Sequence, residues 1–401
     1  MMLNVVSLEE AIGITQKEFS GFRPESEKLN IYNCLGRVLA KDIISYENIP
    51  PFDRSTVDGY AVLSSDTFGA GEGMPSMLTL KGEILMGEEA DLSVESSECI
   101  KISTGGMLPE GADSVVMVEH TEQMIDGTCL IFKAVSPFQN VTKTGDDVKI
   151  GQTVIKKGTL ITSKHIGILC ALGITEVECI RKIKVGIISS GDEIVPIEEA
   201  VPTGKIRDIN SHFLSSLMKE NGCDTREYGI VRDSFDELYG ILQKAATECD
   251  VVLISGGSSA GSKDMTAAVI DKNGKVFFHG IAVKPGKPTI FGKVNETAVF
   301  GLPGHPAAAY LIAKAVVMKL IDFYTQQTSK SLSLTAEITQ SVSSNHGREE
   351  LVPVTIEDGK ASPLLFKSGL VSLLSSADGY IVIPRNKEGV FKSEKVTVYL
   401  F

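Results

Sequence analysis

Three glycine-punctuated loops in the middle of the chain carry residues suited to handling phosphate. The first is Ser255-Gly-Gly-Ser-Ser-Ala-Gly-Ser-Lys-Asp264, which follows the apolar run Val251-Val-Leu-Ile254. Paired glycines let a backbone come close to something bulky or anionic, and successive N–H groups of a Gly-Ser run can cradle a phosphate. On this reading Gly256, Gly257, Ser258 and Ser259 bind the anion, and Asp264 holds a metal or a polar ligand group. The second loop, Lys284-Pro-Gly-Lys287-Pro288, carries an ammonium on each side of a stiff turn. Turn geometry requires the Pro and the Gly but not the lysines, so the pair makes an anion clamp. Pro288 stands where a Walker loop needs a hydroxyl, which excludes that kind of nucleotide site. The third loop is Gly301-Leu-Pro-Gly304-His-Pro306.

Carboxylates accompany these loops. Adjacent Asp192 and Glu193, in Ser189-Ser-Gly-Asp-Glu193, can hold Mg²⁺, which suits phosphate chemistry. Asp233 follows another strand-like run, where a helix-start charge is the ordinary alternative. Asp264 has the ordinary alternative of an N-cap, and Asp58 that of a turn residue before Gly59. Gly257-Ser-Ser259-Ala-Gly261 also matches the G-x-S-x-G elbow, which would make Ser259 a nucleophile with Asp271 and His305 as partners. Against the elbow, Ser-Gly-Gly separates this serine from the strand end and no strong helix pattern follows it directly.

The elements that must position these residues follow from periodicity. Strand-like runs at 185–188, 227–231, 251–254, 276–282 and 298–302 alternate with helical patterns at 209–221, 234–246, 265–272 and 305–324. Ser234-x-x-Glu237 is a capping box, and Pro306 suits a first helical turn. This alternation predicts a doubly wound parallel sheet, whose ligands bind at the C-terminal ends of the strands. Upstream, Ser7-x-x-Glu10 opens a helix over 7–20, and residues 46–62 form an irregular connector. Short runs at 78–84, 98–102, 114–118 and 129–132 predict a small all-β barrel or sandwich. A mixed stretch with a helix at 163–172 follows, and runs at 332–338, 351–356, 380–383 and 395–400 predict a terminal β domain. The expected division is 1–48 with 140–178 as a mixed domain, 49–139 as the inserted all-β domain, 179–328 as α/β, and 329–401 as the C-terminal β domain.

With 401 residues the chain is too long for one core. Its net charge of −12 argues against nucleic acid or an anionic membrane as a main partner. The N-terminus lacks the basic flank and apolar core of a signal peptide, and no apolar run suffices to span a bilayer. The 7 scattered cysteines show no metal spacing and predict reduced, buried thiols in a cytoplasmic protein. The 6 histidines form no cluster, and His279 is expected to pack within a strand.

Several blocks in order carry a resemblance. They are Pro51-Phe-Asp-Arg-Ser-Thr-Val-Asp-Gly-Tyr-Ala61, Thr104-Gly-Gly-Met-Leu-Pro-Glu-Gly-Ala-Asp113, Gly145-Asp-Asp147, Ser190-Gly-Asp-Glu193, the Ser255 to Asp264 loop, Lys284 to Pro288 and Gly301 to Gly304. Lys367-Ser-Gly-Leu370 and Ser376-Ala-Asp-Gly-Tyr-Ile-Val-Ile-Pro384 extend the match to the last strand. Together these closely resemble the molybdopterin molybdenumtransferases, MoeA and the E domain of gephyrin. The resemblance implies a molybdopterin-binding type of three-layer α/β domain within an elongated, four-domain subunit that forms a homodimer. It implies molybdenum cofactor biosynthesis: molybdate inserted at the dithiolene, adenylyl-molybdopterin cleaved, AMP released, and a divalent cation such as Mg²⁺ assisting. The enzyme that supplies this substrate, a molybdopterin adenylyltransferase, is an implied partner.

Carried over by motif, Asp233, Ser259, Asp264, Lys284, Lys287 and Pro288 would line the pterin-phosphate and molybdate site. Asp58 and Thr104 would reach the same cleft from the partner subunit, and Glu193, Asp147, Arg348 and Ser368 match further functional positions. The chain departs from the family's usual Gly-Leu-Pro-Gly-Asn-Pro-Val-Ser at His305 and Ala308, so a hydroxyl near the anion is missing and His305 either replaces the Asn contact or packs. Thr142-Lys-Thr144 stands where some relatives carry an arginine run. A serine hydrolase using Ser259 and a non-catalytic scaffold remain as alternatives.

Overall fold

The computed structural model describes residues 5–256, 260–328, 332–364 and 371–401, and of residues 260–264 the backbone alone. Helix α1 (Leu8–Glu18) begins at the expected capping box. Ser7 Oγ accepts from the Glu10 N–H at 3.1 Å, and the Ser7 N–H donates to the Glu10 carboxylate at 2.7 Å. Two orphan donors of the first turn are thereby satisfied. Strand β1 (Ser26–Asn30) follows. A single six-stranded sheet comes next, built from β2 (Gly59–Val62), β3 (Ser76–Ile84), β4 (Glu98–Ile102), β5 (Ser114–Met117), β6 (Thr121–Gln123) and β7 (Thr128–Ile131), in the order β5-β2-β4-β3-β7-β6. Along β3 and β7 more buried residues alternate with more exposed ones, and the sheet closes over Tyr60, Leu78, Cys99, Cys129 and Ile131. Helix α2 (Ser163–Ala171) then leads to β8 (Glu176–Ile180), which returns to pair antiparallel with β1.

The α/β layer runs in sequence through β9 (Lys184–Ser190), α3 (Asn210–Glu220), β10 (Asp224–Val231), α4 (Phe235–Glu248), β11 (Val251–Gly256) and α5 (Ala260–Lys272). It continues through β12 (Gly274–His279), β13 (Val283–Lys284), β14 (Ile290–Val294), β15 (Thr297–Leu302), α6 (Pro306–Ile312) and α7 (Met318–Thr325). The sheet order is β10-β9-β11-β15-β14-β12. Strands β10, β9, β11 and β15 are parallel, and Val251 to Ile254 are buried on both faces, as their unbroken apolar run requires. Each such side chain stabilises the fold by about 1.5–3 kcal/mol. Helix α1, although far upstream in sequence, buries Leu8 and Ala11 in the same core as Val185, Leu253 and Phe300.

Several local expectations are corrected. The sheet is not wholly parallel, because β14 runs antiparallel to both of its neighbours. A tight Asn295-Glu296 connection turns β14 straight into β15, too short for a crossover. Strand β12 stops at His279, since Gly280 adopts φ +121° and ends the extended run before 282. The helix expected over 305–324 is interrupted by a wider π-helical turn at Ala313–Val317. Ser234 takes the extended N-cap conformation, but its hydroxyl makes no cap hydrogen bond, so the second capping box is absent. Helix α5 starts at Ala260, which places Asp264 inside the helix rather than at its N-cap.

The C-terminal strands β16 (Ser333–Ile338), β17 (Glu349–Glu357), β18 (Lys360–Pro363), β19 (Gly379–Ile383) and β20 (Lys395–Leu400) close on themselves. Pairing runs β17-β18-β16-β20-β19 and returns through β19 to β17, forming a five-stranded barrel around Ile338, Val354, Ile381 and Val398. Strand β13 of the α/β layer adds to this barrel, with Val283 beside Glu349 and Lys284 beside Glu350. All 7 cysteines are free, and only Cys170 is exposed. Burial pushes the Cys179 thiol up to about 11 and that of Cys223 up to about 12, which leaves both inert near neutral pH. Among the described residues no helix is long and apolar enough to cross a membrane.

Candidate functional site

The ends of β9, β10 and β11 lie side by side, Ser190 opposite Val231 on one flank and opposite Gly256 on the other. This register brings Asp192 and Asp233 together from separate loops. Ser190 Oγ donates to Asp233 Oδ1 at 3.2 Å, and the Asp233 N–H donates to Asp192 Oδ1 at 3.3 Å. Lys205 donates its ammonium to the Asp192 carbonyl. One layer deeper, buried Asp208 accepts from Ser189 Oγ at 2.9 Å, from the Ser211 N–H at 3.1 Å and from Ser211 Oγ at 2.6 Å. It therefore ties the end of β9 to the first turn of α3. Beside this cluster opens a cleft of about 860 Å³, whose polar lining includes Asp192, Lys205, Asp208, Ser211 and Arg232. That size accommodates a small organic ligand.

The glycines of the first loop divide. A Cβ on Gly256, which has φ +139°, would lie 1.8 Å from the Ser190 carbonyl oxygen. The absence of a side chain at Gly256 thus serves strand-to-strand packing rather than the approach of a ligand. Gly257, Ser258, Ser259 and Ser368 lie outside the described residues, and the side chain of Asp264 is not described. The serine-nucleophile reading loses one objection and gains a stronger one. A helix does begin directly after Ser259, at Ala260. Asp271, however, lies eleven residues farther along α5 than Ala260, about 16 Å at 1.5 Å per residue, beyond reach of a triad.

The lysine loop is rigid. Thr289 Oγ1 donates to the Gly286 carbonyl at 2.7 Å, and the Ile281 N–H donates to the Lys287 carbonyl at 2.9 Å. Gly286, at φ +120°, sits against Ile312 of α6 so closely that an added Cβ would come within 2.4 Å of it. Lys287 is exposed. Lys284 is also exposed, yet its ammonium is engaged by Glu350 at 2.6 Å. The two lysines are therefore not equivalent, since only Lys284 has a carboxylate partner among the described ion pairs. On the neighbouring loop Gly304 accepts from Asn210 Nδ2 at 2.9 Å, which anchors it to the start of α3. His305 is exposed at the N-cap of α6, so it does not pack, and Ala308 is buried in that helix.

Asp58 and Thr104 meet each other. The Thr104 N–H donates to Asp58 Oδ1 at 2.7 Å and its hydroxyl does so at 3.0 Å, and these bonds hold the Asp58 carboxyl below the usual carboxylate range. Asp53 accepts from Thr144 in the same manner. Neither Asp58 nor Thr104 has a hydrogen bond to the α/β layer of its own chain among the described residues. Arg348 is half-buried at the approach to β17, and Asp147 is exposed.

As a divalent-cation site, Asp192 and Glu193 offer hard oxygen donors at a strand end. Glu193 curls back so that its carboxylate covers Gly191, 2.7 Å from where a Cβ would stand. Among the described residues no three metal-ligating side chains converge. Mg²⁺ commonly takes one or two carboxylates and completes its shell with substrate phosphates, so these residues fit such an ion.

Sequence reasoning missed Lys205, Arg232, Asp208, Asn210 and Glu350. Asp208, three residues before Ser211, carried a helix-capping signal, and Arg232 stood next to Asp233. Glu350 carried no signal, since its partner is 66 positions away.

Three family models match the chain in order. The MoeA N-terminal region (domain I and II) covers residues 6–173, the "Probable molybdopterin binding domain" covers 186–322, and the MoeA C-terminal region (domain IV) covers 335–401. The chain is 37% identical to a molybdopterin molybdenumtransferase of Haemophilus influenzae, over 75% of this chain and 73% of that one. It is 30% identical to one of Bacillus subtilis, over 94% and 90% respectively. Among solved structures it is similar to the molybdopterin biosynthesis moeA protein from Pyrococcus horikoshii OT3, with a TM-score of 0.88, 32% identity, and coverage of 99% of this chain and 100% of that one.

Proposed function

Since this chain belongs to the molybdopterin molybdenumtransferase (MoeA) family, we propose that it inserts molybdate into molybdopterin with cleavage of adenylyl-molybdopterin and release of AMP. It is a transferase of molybdenum cofactor biosynthesis. The observation that carries the finer reading is the meeting of Ser190, Asp192 and Asp233 at the strand ends, beside the 860 Å³ cleft.

An oxygen of water or molybdate forms the new bond to phosphorus, the anhydride P–O bond breaks, and AMP leaves. Asp233 and Asp264 orient that oxygen and, where water supplies it, take the proton that water gives up. Lys284 and Lys287 offset the negative charge that builds on the phosphates, an effect of a few kcal/mol when donors are fixed in advance. Gly257 to Ser259, Pro288, Gly304, Arg348 and Ser368 bind the pterin phosphate and the oxyanion. A bound Mg²⁺, held by Asp192 and Glu193 with Asp264, would neutralise phosphate charge.

Asp58 and Thr104 serve the site of a second subunit in a homodimer, which accords with their having, among the described residues, no hydrogen bond to the α/β layer of their own chain. The chain divides near residues 48, 139, 178 and 328, works in the cytoplasm, and receives its substrate from a molybdopterin adenylyltransferase. Incubation with adenylyl-molybdopterin and molybdate, followed by quantification of AMP, tests the reading. No AMP from an intact dimer would leave the scaffold alternative in its place.

A further inference from the structure

We propose that Glu350 is a built-in counter-anion for Lys284, holding its ammonium in position and moderating its grip on phosphate ligands. The inference rests on Lys284 being an anion-binding group, as proposed above. Strand β13 ends at Lys284 in register with Glu350 at the start of β17, and the side chains meet at 2.6 Å. The next residue back, Glu349, accepts from the Leu8 N–H of α1 at 3.2 Å. Two successive carboxylates of β17 thus grip α1 and the end of β13, and the barrel is anchored where the lysine loop begins.

The exposures differ in a telling way. The Lys284 side chain is 48% exposed, whereas that of Glu350 is 12% exposed. Glu350 Oε2 is buried and has no hydrogen-bond partner among the described residues, so Lys284 is the described cation that compensates this carboxylate. Withdrawing Lys284 would leave a buried charge unpaired, which is costly. An arriving anion therefore shares the ammonium rather than stealing it. An ammonium has three donors, and Glu350 Oε1 takes one, leaving two for a ligand.

The pair is nearly neutral at a distance, which mutes the attraction of Lys284 for anions. A ligand binds by bringing acceptor oxygens close to those two donors. Phosphate groups do so, and molybdate is a dianion of the same tetrahedral shape. Removing the Glu350 charge should unmask Lys284 and tighten phosphate binding. The gain should depend on Lys284, which separates a paired counter-anion from a general loss of negative charge.

The test is equilibrium binding of inorganic phosphate to the full-length chain at pH 7.5 and low salt. Glu350→Gln is expected to bind phosphate about tenfold more tightly than the parent, with a steeper salt dependence, because one repulsive charge within a few ångströms is gone. Adding Lys284→Ala to that variant should abolish the gain. Glu350→Asp draws the charge back from the ammonium and should tighten binding by about threefold. It provides the measurement if Glu350→Gln does not fold. Unchanged or weaker phosphate binding in both Glu350 variants, with Lys284→Ala still weakening the parent, overturns the counter-anion alone. If Lys284→Ala alters phosphate binding in neither background, the anion clamp falls, and this inference falls with it.

Discussion

The carbonyl oxygen of Ser190 occupies the space that a side chain on Gly256 would need, 1.8 Å from the position of its Cβ. The two residues sit opposite each other at the ends of adjacent parallel strands, and each leads into a loop that carries site residues. Gly256→Ala should force these strand ends apart and also strain a backbone at φ +139°. A loss of roughly 2–4 kcal/mol is expected, seen as a lower Tm or an insoluble product. A soluble variant with the parental Tm would show that the strand ends can yield.

Lys287 is exposed on a loop pinned by Thr289 and Ile281, so its side chain can be removed without disturbing packing. Lys287→Ala should keep the parental Tm within about 0.5 kcal/mol of stability and lose AMP release by about 10²–10³-fold. Normal turnover in this variant would falsify its part in the clamp.

Asp264 lies within α5, where alanine is the better helix former. Asp264→Ala should therefore fold at least as stably as the parent yet release no AMP. Asp58→Ala should be inactive too. Mixed protomers of the two variants should regain part of the activity, because a shared-site heterodimer retains one complete site. Heterodimers without activity would indicate that Asp58 serves its own chain.

The Asp58–Thr104 contact predicts a pH dependence. Hydrogen bonding by the Thr104 N–H lowers the Asp58 pKa in the fold, so the contact stabilises the protein above the unfolded value of about 3.9 and is lost as pH falls through the lower folded value. Asp58→Asn should melt below the parent at pH 7, and the gap should close below about pH 4. A gap that persists unchanged to pH 3 would assign the difference to packing.

Local physics was legible along the chain. The Ser7 capping box, strand β4 at its observed bounds, and the buried run of β11 each follow from residues within one or two turns or a single strand. The site loops were legible for a related reason: glycines, prolines and charges following apolar runs mark strand ends whatever lies around them. Ser234 shows the limit of such signals, because a capping sequence does not oblige its hydroxyl to bond. The early start of α5 was hidden, since its first turn is rich in small residues and its onset depends on how β11 delivers the chain. Pairings remote in sequence were decided by tertiary structure alone. Periodicity carries no information on strand direction, so the reversal of β14 came only with its hairpin to β15. The meeting of Lys284 with Glu350 across 66 positions arises because β13 adds to the edge of a closed barrel, and no spacing rule encodes which strand it joins. Residue types therefore announced what chemistry was available, while the register between strands determined which charges met.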